Sequence, residues 1–332
     1  MSFFSSALGS HVPLTPHLTA KLKTSRALAR QFIPSPAEAL TMPEELVDPI
    51  GDSAHTPVKG IIHRYPDRVL LMPHLICAAY CRFCFRRDKM RKSGTTLTSM
   101  ELASALEYIH ARPTIWEVIL SGGDPLLLAP ETLRDLLTAL SGIPHLGVVR
   151  LHTRLPISDP WRVSESTITM LASFETLAVS KALYIVLHCN HVDELGPETT
   201  AVCRAIVRIG VPILSQTVLL QGINDTTSAL AALFRALVQR RIKPYYLHHA
   251  DLARGTGHFR TTLGKGQALM RALRAELSGL CQPTYVLDIP GGYGKVPVGP
   301  CYLHGNTVGE QEIEDPKGRR HFYPPRARSR GP

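Results

Sequence analysis

The sequence predicts an α/β fold: a partial TIM-like (β/α)6 barrel, preceded by a helical extension and followed by a short tail. From about residue 68 onwards, short apolar segments alternate with amphipathic segments of helical length, a pattern typical of parallel βαβ units. Six such units and a closing strand suit a partial barrel better than an open doubly wound sheet. Polar and glycine-rich motifs follow the strands, at the edge where such folds bind ligands.

The chain divides into a helical extension (1–58), the barrel (59–300) and a basic tail (301–332). Seven prolines break the extension, and residues 19–33 within it are predicted to form a helix. The tail holds six basic side chains among Pro and Gly, so it is predicted to be solvated and partly disordered. The predicted barrel strands are 69–72, 116–120, 147–152, 183–188, 211–219, 245–249 and 285–288. The predicted barrel helices are 99–111, 130–140, 164–175, 197–209, 226–239 and 263–278.

Composition argues against a membrane-spanning or secreted protein. A hydrophobic fraction of 44% with 19% charged residues is ordinary for a soluble globular chain. No apolar run reaches membrane-spanning length, and the N-terminus lacks the pattern of a signal peptide. Seven cysteines, three of them clustered, indicate a reducing compartment, so a cytoplasmic location is expected. The net charge of +10 would permit a nucleic-acid partner, although much of the excess lies in the tail.

Three cysteines directly follow the first predicted barrel strand. Cys77, Cys81 and Cys84 have C-x3-C-x2-C spacing, so one short loop can surround a small metal centre with three thiolates. A cubane iron–sulfur cluster takes four protein ligands when fully coordinated, so three would leave one iron open for substrate or cofactor. Structural zinc would need a fourth Cys or His at regular spacing, and a disulfide would leave one thiol over. The spacing therefore favours a [4Fe-4S] cluster.

The string from Cys77 to Arg87, CAAYCRFCFRR, resembles the lysine 2,3-aminomutase family of radical S-adenosylmethionine (SAM) enzymes. The likeness extends from about Ile62 to Pro300. It implies an isomerase with a radical SAM barrel that converts L-lysine to β-lysine by amino migration. The implied cofactors are the [4Fe-4S] cluster, SAM and pyridoxal 5′-phosphate (PLP). Because SAM is cleaved reductively on the open iron in this family, an electron donor such as flavodoxin or ferredoxin is also implied.

A glycine-rich segment follows the second predicted strand. Glycine pairs let backbone groups approach a ligand closely, and the aspartate at the end of the segment can accept a hydrogen bond from an ammonium. By resemblance, this segment would hold the amino group of SAM, and two side chains on later strands would also contact SAM. Taken singly, each of those two could equally be a hydrogen-bonded side chain of the barrel interior. The SAM-binding residues implied are Ser121, Gly122, Gly123, Asp124, His188 and Gln216.

A second glycine-rich stretch runs from Pro290 to Lys295. It is not a phosphate-binding P-loop, because its first glycine is misplaced and Val296 follows the lysine. A lysine in such a loop can form a Schiff base if its pKa is lowered, although from the residues alone a solvated lysine is the simpler interpretation. The resemblance instead implies that PLP is carried on Lys295, with Arg64 and Arg68 binding its phosphate.

Three further residues match substrate contacts of the family. Arg86 corresponds to the arginine that binds the substrate carboxylate, and Asp251 and Asp288 correspond to the two acids that hold the ε-ammonium of lysine. Two carboxylates that converge in a partly buried cavity are costly unless a cation lies between them, so the pair favours lysine over glutamate. Arg82 is expected to help balance the charge of Asp288 in the empty site. Singly, each aspartate could be a loop or helix-cap acid.

The chain also departs from the family pattern. Longer members bind structural zinc between subunits through a cysteine-bearing tail, whereas this chain has no cysteine beyond Cys301; that zinc is not expected, and a homo-oligomer stays open. The compact length and the segment Tyr245 to His248 look more like the branch that makes β-lysine for elongation factor P, whereas the fuller loop before Lys295 does not. Free lysine metabolism and elongation factor P modification both fit.

Two alternatives to the lysine aminomutase remain. The first is a radical SAM enzyme that acts on another amino acid or without PLP. The second, from a different class, is an iron–sulfur nucleic-acid-binding protein, suggested by the basic charge; it would bind RNA or DNA with strongly salt-dependent affinity. The barrel motifs would have no role in such a protein. A small-molecule substrate is therefore expected, rather than a nucleic-acid or membrane partner.

Overall fold

The computed structural model describes residues 14–92, 96–177, 180–304 and 311–324. The strands are β1 (Ile61–Tyr65), β2 (Arg68–Leu71), β3 (Glu117–Leu120), β4 (Val148–Thr153), β5 (Ala182–His188), β6 (Ile213–Leu219), β7 (Ile242–His249), β8 (Thr284–Ile289), β9 (Gly294–Pro297), β10 (Leu303–His304), β11 (Gln311–Glu314) and β12 (Arg320–Tyr323). The helices are α1 (Pro16–Leu22), α2 (Arg26–Phe32), α3 (Arg87–Lys92), α4 (Ser99–His110), α5 (Pro130–Ser141), α6 (Leu155–Ser158), α7 (Glu165–Leu177), α8 (Pro197–Arg208), α9 (Thr227–Gln239) and α10 (Leu263–Glu276). Across these residues, no helix has the length and apolar character needed to cross a membrane.

Strands β1 to β9 form one sheet in sequence order. Strands β2 to β8 are parallel to one another, and β1 and β9 pair antiparallel at the two edges. Helices α4, α5, α7, α8, α9 and α10 each connect one parallel strand to the next. Because β1 and β9 do not pair with each other in the described ranges, the barrel is partial. The predicted α/β class and partial TIM-like barrel are confirmed; the sequence analysis missed both edge strands.

The parallel strands have one face against the helices and one face towards the barrel interior. Val149 and Leu151 of β4 belong to the same hydrophobic core as Leu136 of α5. Since successive side chains of a strand point to opposite faces, the residues between these core positions face inward. The same alternation along the other strands gives the interior a polar lining. That lining includes Arg150, His152, His188, Gln216, Tyr246, His248 and Asp288.

The N-terminal extension lies against loops at the carboxyl ends of the strands. The helix predicted over 19–33 is instead two helices, because the Ser25 side chain accepts a hydrogen bond from Leu28 N (3.2 Å) and starts α2. Leu18 and Phe32 pack with Ala79 of the cysteine loop. The extension thus covers the side of the barrel on which ligands are expected.

The described part of the tail forms short strands, and the predicted partial disorder of the tail as a whole stays a prediction. Strands β10, β11 and β12 form a three-stranded antiparallel sheet. Acidic side chains on β11 offset the positive charge: Glu312 accepts from Arg320 Nη1 (2.8 Å), and Glu314 pairs with Arg271 of α10. The last residues of the predicted tail, 325–332, lie outside the described residues.

Replacing each of two glycines of α10 by alanine should change the free energy of unfolding in opposite directions. A Cβ on Gly266 would lie 2.0 Å from Tyr285 Oη, and that buried phenol is fixed by His249 Nδ1 at 2.7 Å. A Cβ on Gly264 would meet nothing within 4 Å. We expect Gly266→Ala to lower the free energy of unfolding by about 1–3 kcal/mol through overpacking. Gly264→Ala should raise it by up to about 1 kcal/mol through helix propensity. Denaturant titration measures the free energy of unfolding of both variants. Equal changes in the two variants would contradict the packing of Gly266 against Tyr285.

Candidate active site

The cysteine loop connects β2 to α3 and is held on the turn that follows β3. Gly123 N donates to His74 O (2.9 Å) and Asp124 N donates to Ile76 O (2.8 Å). A Cβ on Gly123 would lie 2.2 Å from Ile76 O, so only glycine permits this approach. The neighbouring Gly122 has φ +97°, a conformation that other residues rarely adopt. The turn thus positions the loop that carries the three thiols.

The thiols of Cys77, Cys81 and Cys84 are electrostatic neighbours. Burial, reinforced by Cys81, raises the pKa of Cys84 to about 11. The pKa of Cys77 is raised by burial, by Asp124 and by both other thiols. Without a bound cation, ionising Cys77 and Cys84 together is therefore unfavourable, and a metal centre would supply the missing positive charge.

The three thiols are compatible with a cluster. Over the described ranges, no group of three or more His, Cys, Asp or Glu side chains is placed to hold one metal ion. A cubane cluster binds each thiolate through a different iron, so its ligands need only be neighbours in one loop, as Cys77, Cys81 and Cys84 are.

Arg154, which follows β4, connects the cysteine loop to three other segments. Its Nη1 donates to Cys81 Sγ (2.8 Å), and its Nη2 donates to Glu194 Oε2 (2.9 Å) and Gln31 Oε1 (2.5 Å). Although burial alone would lower the pKa of Arg154, Cys81 and Glu194 raise it above its usual value. A permanent buried cation therefore lies beside one of the three proposed ligands.

Asp124 accepts hydrogen bonds from within the protein. Its Oδ1 accepts from Thr153 Oγ1 (2.6 Å) and Leu126 N (3.2 Å), and its Oδ2 accepts from Arg154 N (2.7 Å). These bonds join the glycine turn to the end of β4. The predicted contact of Asp124 with the amino group of SAM stays a prediction. Ser121, at the start of the same turn, is also held by the protein, since its N–H donates to Leu71 O at the end of β2 (3.1 Å).

His188 and Gln216 lie side by side, paired in register on β5 and β6. His188 is the last residue of β5, its Nε2 is buried without a hydrogen-bond partner, and its ring lies 5.4 Å from that of Phe83 in the cysteine loop. Gln216, by contrast, lies in the middle of β6 at a register shift, so the expectation that every motif begins at a strand end is wrong for this residue. Both face the interior near the cysteine loop, and their contact with SAM stays a prediction.

Lys295 lies on a strand rather than in a loop. It pairs with Asp288 across β8 and β9, and its ammonium forms an ion pair with that carboxylate. His248 Nδ1 lies 3.2 Å from Lys295 Nζ and 3.6 Å from Asp288 Oδ2. The sequence analysis did not single out His248, although its position on β7 places it on the inward face with Tyr246. Alternation along the strand could therefore have identified it.

The two aspartates that match the family have opposite electrostatic environments. Burial, reinforced by the negative charge of Asp288, raises the pKa of Asp251 to about 7. Burial also acts to raise the pKa of Asp288, but hydrogen bonds and charge from His248 and Lys295 outweigh it, so that pKa lies well below its usual range. The structure thus brings both acids to one end of the barrel. A second cation bound there would favour ionisation of Asp251.

Asp52, in the N-terminal extension, contacts the cationic side chains that are expected to bind anionic groups of the ligands. Its Oδ2 accepts from Arg86 Nε (2.7 Å), and its Oδ1 accepts from Arg64 Nη2 (3.2 Å). Lys89 Nζ lies 3.6 Å from Asp52 Oδ2. Burial would raise the pKa of Asp52, but Arg86 and the other cations hold it below its usual value. Lys89 Nζ is also 3.9 Å from Asp48 Oδ2, so three cations share two carboxylates and one positive charge remains in excess, which suits an anionic ligand.

Arg64 and Arg68 flank Tyr65, whose Oη accepts a hydrogen bond from Lys295 N (2.7 Å). Arg64 Nε is buried without a hydrogen-bond partner, so an anion in reach would satisfy a donor that is otherwise unpaired. Arg68 lies 3.8 Å from the centre of the Tyr65 ring and pairs with Asp67 (2.8 Å). Both arginines are therefore beside the strand that carries Lys295, which fits a phosphate-bearing cofactor.

The expectation that Arg82 balances Asp288 is wrong. Arg82 Nε donates to Glu38 Oε1 (2.9 Å), and Arg87 Nη2 donates to Glu38 Oε2 (2.7 Å). Glu38 lies in the N-terminal extension, so Arg82 fixes the extension onto the cysteine loop. Lys295 and His248 are the groups beside Asp288.

The fold and site define a class: partial α/β barrels with a three-cysteine loop at the carboxyl end of the first parallel strand. The chain belongs to the lysine 2,3-aminomutase family. It is 38% identical over 274 residues to an L-lysine 2,3-aminomutase from Clostridium subterminale, a match that covers 82% of this chain. It is 36% identical to a relative from Treponema pallidum that is provisionally assigned the same name, over 93% of this chain and 86% of the relative. A glutamate 2,3-aminomutase from Clostridioides difficile is 35% identical, over 78% of this chain and 60% of the relative.

These matches confirm the resemblance read from the cysteine motif. The chain spans 64% of the length of the Clostridium subterminale relative. No protein-family model matches the chain. A solved radical SAM methyltransferase from Sphaerobacter thermophilus aligns over 68% of each chain, with 18% identity and a TM-score of 0.46, a likeness too weak to support a conclusion.

Replacing Asp52 should destabilise the fold. Asp52→Asn removes the only carboxylate described as contacting Arg64 and Arg86, and leaving buried charges unpaired costs about 3–5 kcal/mol. Because the folded pKa of Asp52 is depressed, its contribution is present above the unfolded pKa of about 4 and is lost as pH falls through the folded pKa. The midpoints of thermal unfolding of the wild type and of Asp52→Asn are measured between about pH 7 and 3. The difference between the two midpoints should therefore become smaller as the pH falls.

A matched control lies in the same extension. Glu44 is half-exposed and its ion pair with Arg260 spans 3.5 Å, so Glu44→Gln should cost less than about 1 kcal/mol at any of these pH values. Equal midpoints for Asp52→Asn and Glu44→Gln would contradict the role given to Asp52.

Proposed function

We propose that the chain is a radical SAM, PLP-dependent 2,3-aminomutase that converts L-lysine to β-lysine. The observation that carries this proposal is the pairing, at one end of one barrel, of a three-thiol loop with a lysine flanked by two acids. Cys77, Cys81 and Cys84 would hold a [4Fe-4S] cluster, and Lys295 would carry PLP. Family membership supports the reaction type, because named relatives catalyse the migration of an amino group.

The cofactors would supply the reactive chemistry, and the protein would supply position and charge. When bound, SAM on the cluster supplies the radical that removes a hydrogen atom, and PLP supplies a conjugated ring that delocalises the unpaired electron. Gly122 and Gly123 keep the cysteine loop against the β3 turn, and His188 offers SAM a buried, unpartnered nitrogen. Arg64 offers a similar unpaired donor to the PLP phosphate, with Arg68 next to it.

The charges of the site support a dibasic substrate. The carboxylate of an amino acid would pair with Arg86, whose present partner Asp52 is shared with two other cations. The ε-ammonium of lysine would lie between Asp251 and Asp288. Because the pKa of Asp251 is about 7, this carboxyl group is only partly ionised at neutral pH, and the ammonium would favour its ionised form. The side-chain carboxylate of glutamate would add negative charge at the same place.

Several finer points stay predictions. A relative named glutamate 2,3-aminomutase has 35% identity, so another amino acid is the alternative substrate. Supply of β-lysine for elongation factor P, an electron donor such as flavodoxin or ferredoxin, and a cytoplasmic location follow from the resemblance alone. The different-class alternative, an iron–sulfur nucleic-acid binder, has the net charge of +10 in its favour.

The substrate is tested by anaerobic incubation of the reconstituted protein with SAM, dithionite and either L-lysine or L-glutamate. We expect β-lysine, detected by chiral chromatography, and no product from glutamate. Removing one partner of a buried charge pair costs about 2–5 kcal/mol, so Asp251→Asn should lower kcat/KM for lysine by about 30-fold or more. Asp135→Asn is the control, since Asp135 is 77% exposed on α5. A product from glutamate alone would overturn the substrate, and no product from either would overturn the reaction.

The cluster assignment is tested at Gly123. Gly123→Ala should displace the cysteine loop, because its Cβ would lie 2.2 Å from Ile76 O, and should therefore lower bound iron and sulfide severalfold in a folded protein. Gly142→Ala is the control, because its nearest contact of 3.5 Å is ordinary packing. Iron and sulfide analysis of anaerobically prepared protein provides the measurement. Zinc in place of iron in the wild type would contradict the cluster.

A further inference from the structure

His248 lies between the amine and the acid on the last two strands of the barrel. Its Nδ1 is 3.2 Å from Lys295 Nζ and 3.6 Å from Asp288 Oδ2. The histidine is buried, with 16% of its side chain exposed, and its Nε2 has no hydrogen-bond partner. The ring also lies 5.6 Å from that of Tyr246 on the same strand. This placement gives the imidazole direct access to the reactive nitrogen.

The charges around His248 favour a neutral ring. Burial lowers its pKa, and the positive charge of Lys295 lowers it further, whereas Asp288 acts in the opposite direction. In the neutral ring with its hydrogen on Nε2, Nδ1 accepts from the Lys295 ammonium, whereas in the other tautomer Nδ1–H points towards Asp288 Oδ2. We assign the first tautomer to the ring that takes up the proton of Lys295, because only an unprotonated Nδ1 can accept it. The titratable groups that face His248 are Lys295 and Asp288 on β9 and β8, His152 and His188 on β4 and β5, and Tyr246 on β7.

Lys295 cannot react while it is protonated. An ammonium has no lone pair, so it must lose a proton before it can attack an aldehyde. Asp288 is a poor acceptor for that proton, because its pKa lies well below its usual range. A neutral imidazole at hydrogen-bond distance is a better one, since a general base works best when its pKa is near the operating pH.

We propose that His248 is a catalytic residue that accepts the proton of Lys295 when this lysine binds an aldehyde; the proposal rests on the role of Lys295 in the proposed function. The proton passes from Nζ to Nδ1, and the neutral amine forms a carbon–nitrogen bond with the aldehyde carbon. The nitrogen proton moves to the oxygen that becomes the hydroxyl. His248 then returns its proton to that hydroxyl, which leaves as water and restores the neutral ring. Asp288 stabilises the imidazolium during this cycle.

The pH dependence of aldehyde capture distinguishes this route from deprotonation by bulk water. The neutral amine beside a protonated imidazole has the same number of protons as the ammonium beside a neutral imidazole. The fraction of this reactive form is therefore independent of pH as long as the proton count of the Lys295–His248 pair is constant. Asp251, whose pKa is about 7, interacts with Lys295, so the comparison is made above that pKa, between about pH 8 and 9. If bulk water takes the proton instead, the capture rate should rise about tenfold per pH unit, because the free amine fraction does.

The experiment uses the full chain, prepared anaerobically with its metal content intact and freed of PLP by hydroxylamine. PLP is added back, samples are reduced with borohydride at timed intervals, and mass spectrometry measures the modified fraction of the peptide that contains Lys295. We expect a flat wild-type profile between about pH 8 and 9, above the pKa of Asp251. His248→Gln, which can accept a hydrogen bond but not a proton, should be about 100-fold slower at neutral pH and should recover as pH rises.

The neighbouring histidine provides a matched control. His249 Nδ1 contacts Tyr285 Oη at 2.7 Å, on the face that packs against the helices, so His249→Gln should capture PLP at the wild-type rate. A wild-type rate that rises tenfold per pH unit would overturn the proposal without any variant, as would a wild-type rate in His248→Gln. For Lys295→Ala, mass spectrometry of the intact protein measures the total PLP fixed by borohydride, and an amount equal to that of the wild type would instead overturn the proposed function.

Discussion

The end of the barrel that carries the motifs depends on one buried cation, the guanidinium of Arg154. Its side chain contacts Cys81 of the cysteine loop, Gln31 of the extension and Glu194 beyond β5, and its backbone N–H donates to Asp124. Four segments distant in sequence therefore meet around a single positive charge. A buried charge is tolerated only when it is paired and hydrogen-bonded, so each partner requires the others to be in place. The cysteine loop consequently has a defined position before any metal binds.

Periodicity and motif resemblance predicted the barrel and the place of its site. The parallel strands are short apolar runs buried on the helix side, and this local pattern is sufficient to find them. The cysteine spacing is equally local. The edge strands β1 and β9 were missed because His63, Arg64, Gly294 and Lys295 interrupt any apolar run there. The pairing of Lys295 with Asp288 likewise depends on a register that only the folded sheet provides.

Contacts between distant segments were the part that sequence could not provide. Arg82 was expected to pair with Asp288, but Glu38, more than forty residues earlier in the chain, accepts its hydrogen bonds. Asp52 lies in a segment without periodicity, and only the folded chain shows that Arg64 and Arg86 surround it. Asp124 matches an ammonium-binding position by motif, and only the folded chain shows that its oxygens also accept from Thr153 and Arg154. A motif identifies a position, whereas the partners of a charged side chain are chosen by three-dimensional proximity.

Lys295 belongs to β9, the last strand of an open sheet, and this location has a mechanical consequence. An inner strand is restrained by two neighbours, whereas β9 has a hydrogen-bonded ladder on the β8 side only. On its other side, the phenol of Tyr65 on β1 contacts the Lys295 backbone across the seam where the sheet ends. The Tyr65 side chain thus connects the two edge strands of the sheet at Lys295. Beside it lie the contacts of His55 Nε2 with Gly292 O and of Gly291 N with Pro49 O. If Lys295 carries the cofactor, the position of its amine depends on how β1 and β9 are held at this seam.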